Sequence, residues 1–325
     1  MADHELSVVV PVYGCEGCLR SLHARLVAVL EELVESFEII FVDDRGPDNS
    51  WPLLRELADG DTRVRAIRLS RNFGQQAAIT AGLAASQSSW TVVMDCDLQD
   101  PPEIIPRLWA KAQEGYDVVF GQRAARTHSA ARQLAAKAYF RFLRSILGVQ
   151  ISGQYGAFTL ISRRVREGVL SMPDVDRHYV PMLLWVGYEQ AAIEYDLEQR
   201  YAGESSYSFS ALVRLAVTGV LFQTTSLLRW IIYAGISLAL AGFAVAGFLV
   251  VSYFFISPYP GWTSLIVVIL VTSGFVALST GVTGLYVGNV FRQVKGRPLY
   301  LVESEYRAGT EVHAQSGPFE REVQS

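Results

Sequence analysis

Two stretches, residues 230–255 and 263–290, contain no Asp, Glu, Lys or Arg. No other feature restricts the fold as much, because about 20 apolar residues suffice for a helix to cross the hydrocarbon core of a bilayer. Only a short uncharged turn, Ser257-Pro258-Tyr259-Pro260-Gly261, lies in the break between them, so a hairpin of two transmembrane helices is predicted. Trp230, Tyr253, Tyr259 and Trp262 stand where interfacial aromatic belts form. Arg214 and Arg229 precede the first run, while Arg292, Lys295 and Arg297 follow the second. By the positive-inside rule both ends face the cytoplasm, giving a multi-pass protein of the inner (cytoplasmic) membrane. The N-terminus, Met-Ala-Asp-His-Glu, has no basic region followed by an apolar segment, so no signal peptide is expected. Glycines in the runs (Gly235, Gly242, Gly247, Gly274, Gly281, Gly284, Gly288) permit close helix packing, compatible with a homo-oligomer.

The rest of the 325 residues is long enough to bury a full α/β domain. Apolar runs at 6–12, 37–42, 64–69, 90–94 and 117–121 read as strands. Between them, residues 17–35 place Leu19, Leu22, Leu26, Leu30 and Leu33 at helical spacing. Helices are also predicted from about Trp51, with Asp48, Asn49 or Ser50 as N-cap, and over 73–85. Strand–helix alternation at this spacing implies a doubly wound, mostly parallel sheet whose ligands bind outside the carboxyl ends of the strands. Residues 151–201 read as short strands and loops. Two amphipathic segments, 124–147 (with Arg123, Arg126, Arg132, Lys137, Arg141 and Arg144 in or beside it) and 208–228, read as interfacial helices. The polar residues 303–325 are expected to be disordered.

Several strand ends carry polar chemistry: Tyr13, Asp43-Asp44 and Met94-Asp95-Cys96-Asp97-Leu98-Gln99. If the strand continues, Asp95 and Asp97 project the same way and Cys96 the other. Two hard oxygen ligands there suit Mg²⁺ or Mn²⁺, and Gln99 would add a carbonyl oxygen. An acidic turn capping the next helix is the alternative. Cys15-x-x-Cys18 reads either as a redox or metal motif or as two small residues at a turn. A formal charge of −4 and the lack of a basic, aromatic-interleaved stretch argue against nucleic acid. Neither G-x-G-x-x-G after the first strand nor a P-loop is present, which disfavours dehydrogenases and P-loop enzymes.

Seven segments together resemble one family: 8–13 (Val-Val-Val-Pro-Val-Tyr), 38–44, 69–78 (Leu-Ser-Arg-Asn-Phe-Gly-Gln-Gln-Ala-Ala), 94–103, 115–123, 200–207 and 296–300. The chain is similar to family-2 glycosyltransferases that make polyprenyl-phosphate sugars, the bacterial dolichol-phosphate mannose synthase-like enzymes. The resemblance implies a GT-A fold, a nucleotide-sugar donor, a polyprenyl (undecaprenyl) phosphate acceptor, Mg²⁺ or Mn²⁺, and a role in cell-envelope glycans. It implies Asp95, Asp97 and Gln99 as metal ligands. Pro11, Tyr13, Asp43, Asp44 and Asp95 would bind the donor nucleotide. Arg123, Arg126, Arg200 and Ser205 would contact phosphate or acceptor, with Asp97 and Arg200 as the catalytic pair. The domains it suggests are a cytoplasmic transferase domain (1–206), a juxtamembrane amphipathic helix (207–229), the membrane hairpin (230–291) and a cytoplasmic tail (292–325).

The sequence departs from that pattern at two places. Relatives often carry Asp-Phe-Arg-Leu where this chain has Ala157-Phe158-Thr159-Leu160, so the carboxylate proposed as a base there is missing. A phosphate monoester is already largely dianionic at neutral pH, so it attacks without a base. Arg45-Gly46 follows Asp43-Asp44 where Gly-Ser is more usual, which leaves UDP-sugars and GDP-mannose both open, UDP-hexose favoured. A processive polysaccharide synthase would carry Gln-x-x-Arg-Trp before its spans; here Ser226 stands three before Arg229 and Gln223 six before. A degenerate transferase acting as a membrane scaffold is the non-enzymatic alternative.

Overall fold

A computed structural model describes residues 4–123, 155–196, 261–313 and part of 231–251. Contacts divide the chain into two compact units. One holds a mixed sheet with its helices; the other holds a long apolar helix. The sheet unit runs β1 (Leu6–Val12), α1 (Glu16–Leu33), β2 (Phe37–Asp43), α2 (Ser50–Gly60), β3 (Val64–Leu69), α3 (Gln75–Ala85) and β4 (Trp90–Val93). A 3₁₀ turn (Pro102–Ile104) then leads into α4 (Ile105–Ala112) and β5 (Val118–Arg123). After it come β6 (Tyr155–Ser162), α5 (Arg163–Ser171), α6 (Tyr179–Val186) and β7 (Gln190–Tyr195). The apolar helix is α7 (Trp262–Val294), and β8 (Val302–Arg307) and β9 (Thr310–His313) follow it.

Strand order is β7-β5-β6-β4-β1-β2-β3-β8-β9. β1 pairs in parallel with β2 on one side and with β4 on the other. The β1–β2 and β3–β4 connections therefore leave β1 toward opposite edges of the sheet, which makes β1/β4 the switch point where α/β sheets open a crevice. The expectation of a mostly parallel sheet is corrected: β6 inserts antiparallel to both β4 and β5, and β8 is antiparallel to β3.

The central strands are largely apolar because both faces are covered, and among the buried exceptions Ser7 and Glu38 hydrogen-bond to each other at 2.7 Å. Val8, Val10, Ile39, Phe41 and Val92 face α1, α2 and α4, with Leu19, Leu22, Leu26 and Leu30 of α1 packed against them. Val9, Ile40, Val42 and Val93 face the other way, onto α3, α5 and α6. Helix α3 lies close to the sheet at Gly82. A Cβ there would run into Val9 Cγ1 and lie 3.3 Å from Val42 Cγ2. At the start of α2, Asn49 occupies the N-cap position without a side-chain bond. Asp48 takes that part instead, accepting from the Ser50 backbone N–H at 3.4 Å and from the Ser50 hydroxyl at 2.9 Å.

Two more expectations change. Residues 151–201 contain helices α5 and α6, not only strands and loops. Within the tail, residues 314–325 lie outside the described residues, while residues 302–313 form β8 and β9: β8 covers the edge of β3, which would otherwise expose unpaired backbone groups. Its alternating sequence buries Ser304 and Tyr306 and turns Glu303 and Glu305 toward Arg45 (2.6 Å) and Arg65 (2.5 Å). Among the described residues of the membrane region, one helix segment, Val271–Val294, is long and apolar enough to cross a bilayer. A shorter apolar helix, Tyr233–Gly242, falls within the first charge-free run. The rest of that run, and the amphipathic segments 124–147 and 208–228, lie outside the described residues.

Replacing Gly82 by Ala is expected to cost about 1–3 kcal/mol through overpacking against Val9. Denaturant unfolding of the detergent-solubilised protein measures this; an unchanged midpoint would contradict the packing described.

Candidate active site

The crevice beside β1 and β4 is built by the residues that follow each strand. β4 ends at Val93, so Asp95 and Asp97 lie in a turn, not on a strand. They nevertheless share one side. Leu98 adopts a left-handed backbone (φ 58°), and Cys96, Leu98 and Asp100 go inward while Asp95, Asp97 and Gln99 stay partly exposed. Cys96 and Leu98 join the core under α1, which anchors the turn from beneath.

Asp95 Oδ1 accepts from Gln75 Nε2 at 2.7 Å, and Asp97 Oδ1 accepts from the Gln99 backbone N–H at 3.2 Å. Burial, together with the negative charges of Asp100 and Asp97, pushes the Asp95 carboxyl up to about 6, against the pull of Arg123 and Gln75. Carboxylates forced together in this way suit a hard divalent cation. Among the described residues no group of three or more His, Cys, Asp or Glu forms a complete cage, so the chain offers Asp95 and Asp97 as a partial one.

On the β1 side, Pro11 is buried and Tyr13 is 54% exposed, its ring free to meet a planar ligand. On the β2 side, Asp43 and Asp44 are both buried, and both carboxyls are raised, chiefly by burial. Asp43 lies 3.2 Å from Arg68 Nε and accepts from the Gly46 N–H. Asp44 has a tethering task that the sequence did not reveal. Its two oxygens accept from the backbone N–H groups of Phe73 (2.7 Å) and Gly74 (2.8 Å). Gly74 has φ 96°, a conformation closed to most side chains, and it opens α3 so that Gln75 reaches Asp95.

Arg123, at the end of β5, is fixed from below by Asp100, which is fully buried and 3.1 Å from Arg123 Nη2. The Tyr195 hydroxyl donates to the other Asp100 oxygen. Burial works against the Arg123 charge, but Asp100 and Tyr195 more than offset it. Gly156 leaves room for the guanidinium: a Cβ there would lie 3.4 Å from Nε. Arg123 and Asp95 line one cavity of about 230 Å³, together with Gln75, Ala157 and His178. A larger cavity of about 540 Å³ lies by His4, Arg63 and Arg307, at the amino ends of β1 and β3, and holds no predicted site residue.

The structure thus brings together Tyr13, Asp43, Asp44, Asp95, Asp97, Gln99 and Arg123 at one sheet edge. Arg126, Arg200 and Ser205 lie outside the described residues. Sequence reading missed Asp100, Tyr195, Gln75 and His178. Asp100 had a signal, as a third carboxylate in the same turn. The cysteine reading is also revised. Cys15 is bonded to Cys96, with Cα atoms 6.4 Å apart, and the buried Cys18 lies outside that bond, so the C-x-x-C pair does not act as a unit.

Comparison with known proteins adds the following. Residues 7–170 match the family model described as glycosyl transferase family 2. An uncharacterized glycosyltransferase of Bacillus subtilis, YkcC, is 36% identical over 94% of this chain and 96% of its own. The SfII prophage-derived bactoprenol glucosyl transferase of Shigella flexneri is 31% identical over 93% of this chain and 99% of its own. Among solved structures, glucosyl-3-phosphoglycerate synthase from Mycobacterium tuberculosis, in complex with Mn²⁺, uridine diphosphate and phosphoglyceric acid, superposes with a TM-score of 0.50. That match is 19% identical and covers 70% of this chain and 78% of the other, a likeness of fold.

Protonation of Asp95 competes with any cation it binds. Mn²⁺ affinity is therefore expected to fall about tenfold per pH unit below roughly pH 6 and to level off above it; Mn²⁺ titration followed by electron paramagnetic resonance measures this. A flat profile from pH 5 to 7 would remove Asp95 from the site. Asp100→Asn is expected to cost about 1–3 kcal/mol of stability by weakening the charge-assisted bond to Arg123, read from denaturant unfolding.

Proposed function

Because the chain belongs to glycosyl transferase family 2, we propose that it moves one sugar from a nucleotide-sugar to the phosphate of a polyprenyl phosphate, with inversion and with a divalent ion. It is a glycosyltransferase, and its mixed α/β sheet is of the GT-A type. The observation that carries the finer reading is the pairing of opposite charges at one edge: Asp95 and Asp97 on one turn, and Arg123 in the same cavity as Asp95. Two carboxylates would repel a diphosphate on their own. With a cation between them and an arginine beside them, they suit one.

Asp95 and Asp97, with Gln99 nearby, would hold Mg²⁺ or Mn²⁺, and the bound ion would neutralise charge on the departing nucleoside diphosphate. Tyr13 would stack on the base, next to Pro11, and Asp43 would accept from a base or ribose donor. Arg123 would hold a phosphate oxygen with its guanidinium oriented by Asp100. Arg126, Arg200 and Ser205 would contact phosphate or acceptor, with Arg200 and Asp97 as the catalytic pair. UDP-hexose is the favoured donor, supported by the relatives named as bactoprenol glucosyl transferases and by the solved relative holding uridine diphosphate.

The acceptor phosphate dianion would attack the anomeric carbon as the bond to the diphosphate breaks on the opposite face. A sugar hydroxyl would need a base; Ala157, in the cavity wall, offers none, and a dianion needs none. Helix α7 and the charge-free run before it would anchor the protein at the cytoplasmic leaflet of the inner membrane, where the lipid acceptor lies.

Purified protein given undecaprenyl phosphate, Mn²⁺ and a panel of labelled nucleotide-sugars is expected to move label from a UDP-hexose into the organic phase. Asp97→Ala is expected to lower this by about 10²-fold or more. Folded protein that binds Mn²⁺ yet transfers no sugar from any donor would favour the scaffold reading instead.

A further inference from the structure

Strands β1 and β4 are hydrogen-bonded neighbours, with Val9 opposite Val93, so the segments that follow them run side by side along the crevice. Cys15 lies in the first segment, two residues beyond Tyr13, and Cys96 lies in the second, between Asp95 and Asp97. A disulfide joins them across the switch point and closes a separation of 81 residues. The Cα separation of 6.4 Å is ordinary for a disulfide. Cys96 is buried, while Cys15 is partly exposed, so an incoming thiol or oxidant meets the pair from the Cys15 side.

We propose that Cys15 and Cys96 form a reversible oxidative modification site, and that the dithiol is the form in which the Asp95–Asp97 turn takes up a divalent ion with its nucleotide. The proposal rests on the donor-site reading above. In the bonded form Asp95 is engaged by Gln75, and Asp97 by the Gln99 backbone. Leu98, between Asp97 and Gln99, holds a left-handed backbone. Any adjustment of the two carboxylates around an ion would move this turn, and its middle residue, Cys96, is the one that is covalently tied. The other end of the tie is held too: Cys15 immediately precedes α1, where the Glu16 N–H donates to Asp48 (2.9 Å) and Glu16 accepts from the Asn49 N–H (3.2 Å). Reduction removes this one restraint and leaves the β1–β4 pairing in place.

The chemistry balances with common partners. A hydroperoxide oxidises Cys15 to the sulfenic acid and leaves as the alcohol or water. The Cys96 thiolate then attacks Cys15 Sγ, the S–S bond forms, and hydroxide leaves to become water. In reverse, one thiolate of a small dithiol attacks Cys15 Sγ and releases the Cys96 thiolate; its second thiol then frees Cys15 as the reductant closes to its own disulfide. In a reducing compartment such bonds are characteristically transient or sensing, which fits a catalytic domain on the cytoplasmic side.

The test uses the full-length protein in detergent, poised in dithiol/disulfide buffers. Mass spectrometry follows the pair, and calorimetry with UDP in the presence of Mn²⁺ reads the site. The oxidised chain, lighter by two hydrogens and carrying the Cys15–Cys96 peptide pair, is expected to bind UDP–Mn²⁺ about tenfold more weakly than the reduced one. By reciprocity, UDP–Mn²⁺ is expected to move the midpoint potential of the pair to a more positive value by about 30 mV. Cys15→Ser, and independently Cys15→Ala, is expected to bind like the reduced protein whatever the redox poise. Equal affinity in both forms, a potential indifferent to the ligand, or a pair that no dithiol buffer reduces would overturn the proposal. Loss of UDP–Mn²⁺ binding in every form is a different result: it would overturn the donor-site reading and the switch with it.

Discussion

The parallel pairing of β1 with β2 on one side and β4 on the other is the constraint on which the rest of this structure depends. It puts β2 and β4 on opposite sides of β1 and opens a crevice where the segments after β1, β2 and β4 meet. Everything chemically notable in the sheet unit follows from that opening: Tyr13 from β1, Asp43 and Asp44 from β2, and the carboxylate turn from β4. The apolar strands supply a rigid floor, and the loops carry the polar groups that would be costly inside it.

The site is organised by charges that the fold keeps close at some cost. Asp95 holds its proton more tightly than an ordinary carboxyl because its carboxylate is desolvated and lies near Asp100 and Asp97. Asp100 is fully buried, and that is tolerable because Arg123 and Tyr195 satisfy it. One carboxylate thus spends its charge on aiming an arginine, while its neighbours remain for a cation. Asp44 shows a different division of labour, pinning the loop that carries Gly74 and so setting where Gln75 meets Asp95.

Local signals were legible in the sequence, and non-local ones were not. The boundaries of β1 follow directly from its β-branched run, because burial on both faces leaves little ambiguity, and those of β3 from the apolar residues Val64, Ala66, Ile67 and Leu69. The alternation over Asp95–Asp97 was read from a strand that in fact stops at Val93; in the turn that replaces it, Asp95 and Asp97 stay partly exposed while Cys96 is buried. The direction of β6 and the ordered β8 could not be read, since each depends on partners far away in the chain. For β8 these are Arg45 and Arg65, which turn a polar segment into a paired strand. Cys15 pointed to Cys18 by spacing alone, whereas strand order gave it Cys96.

The chemistry assigned to this crevice requires a divalent ion at the Asp95–Asp97 turn. Crystals grown with UDP and Mn²⁺, with data collected at the manganese absorption edge, would locate the metal by its anomalous signal. A single strong peak within coordination distance of carboxylate oxygens of both Asp95 and Asp97, bridged to the diphosphate with Arg123 on the same phosphates, is the predicted result. A peak elsewhere, or UDP bound in the crevice with no manganese at that turn, would contradict the assignment of these carboxylates and the chemistry built on them.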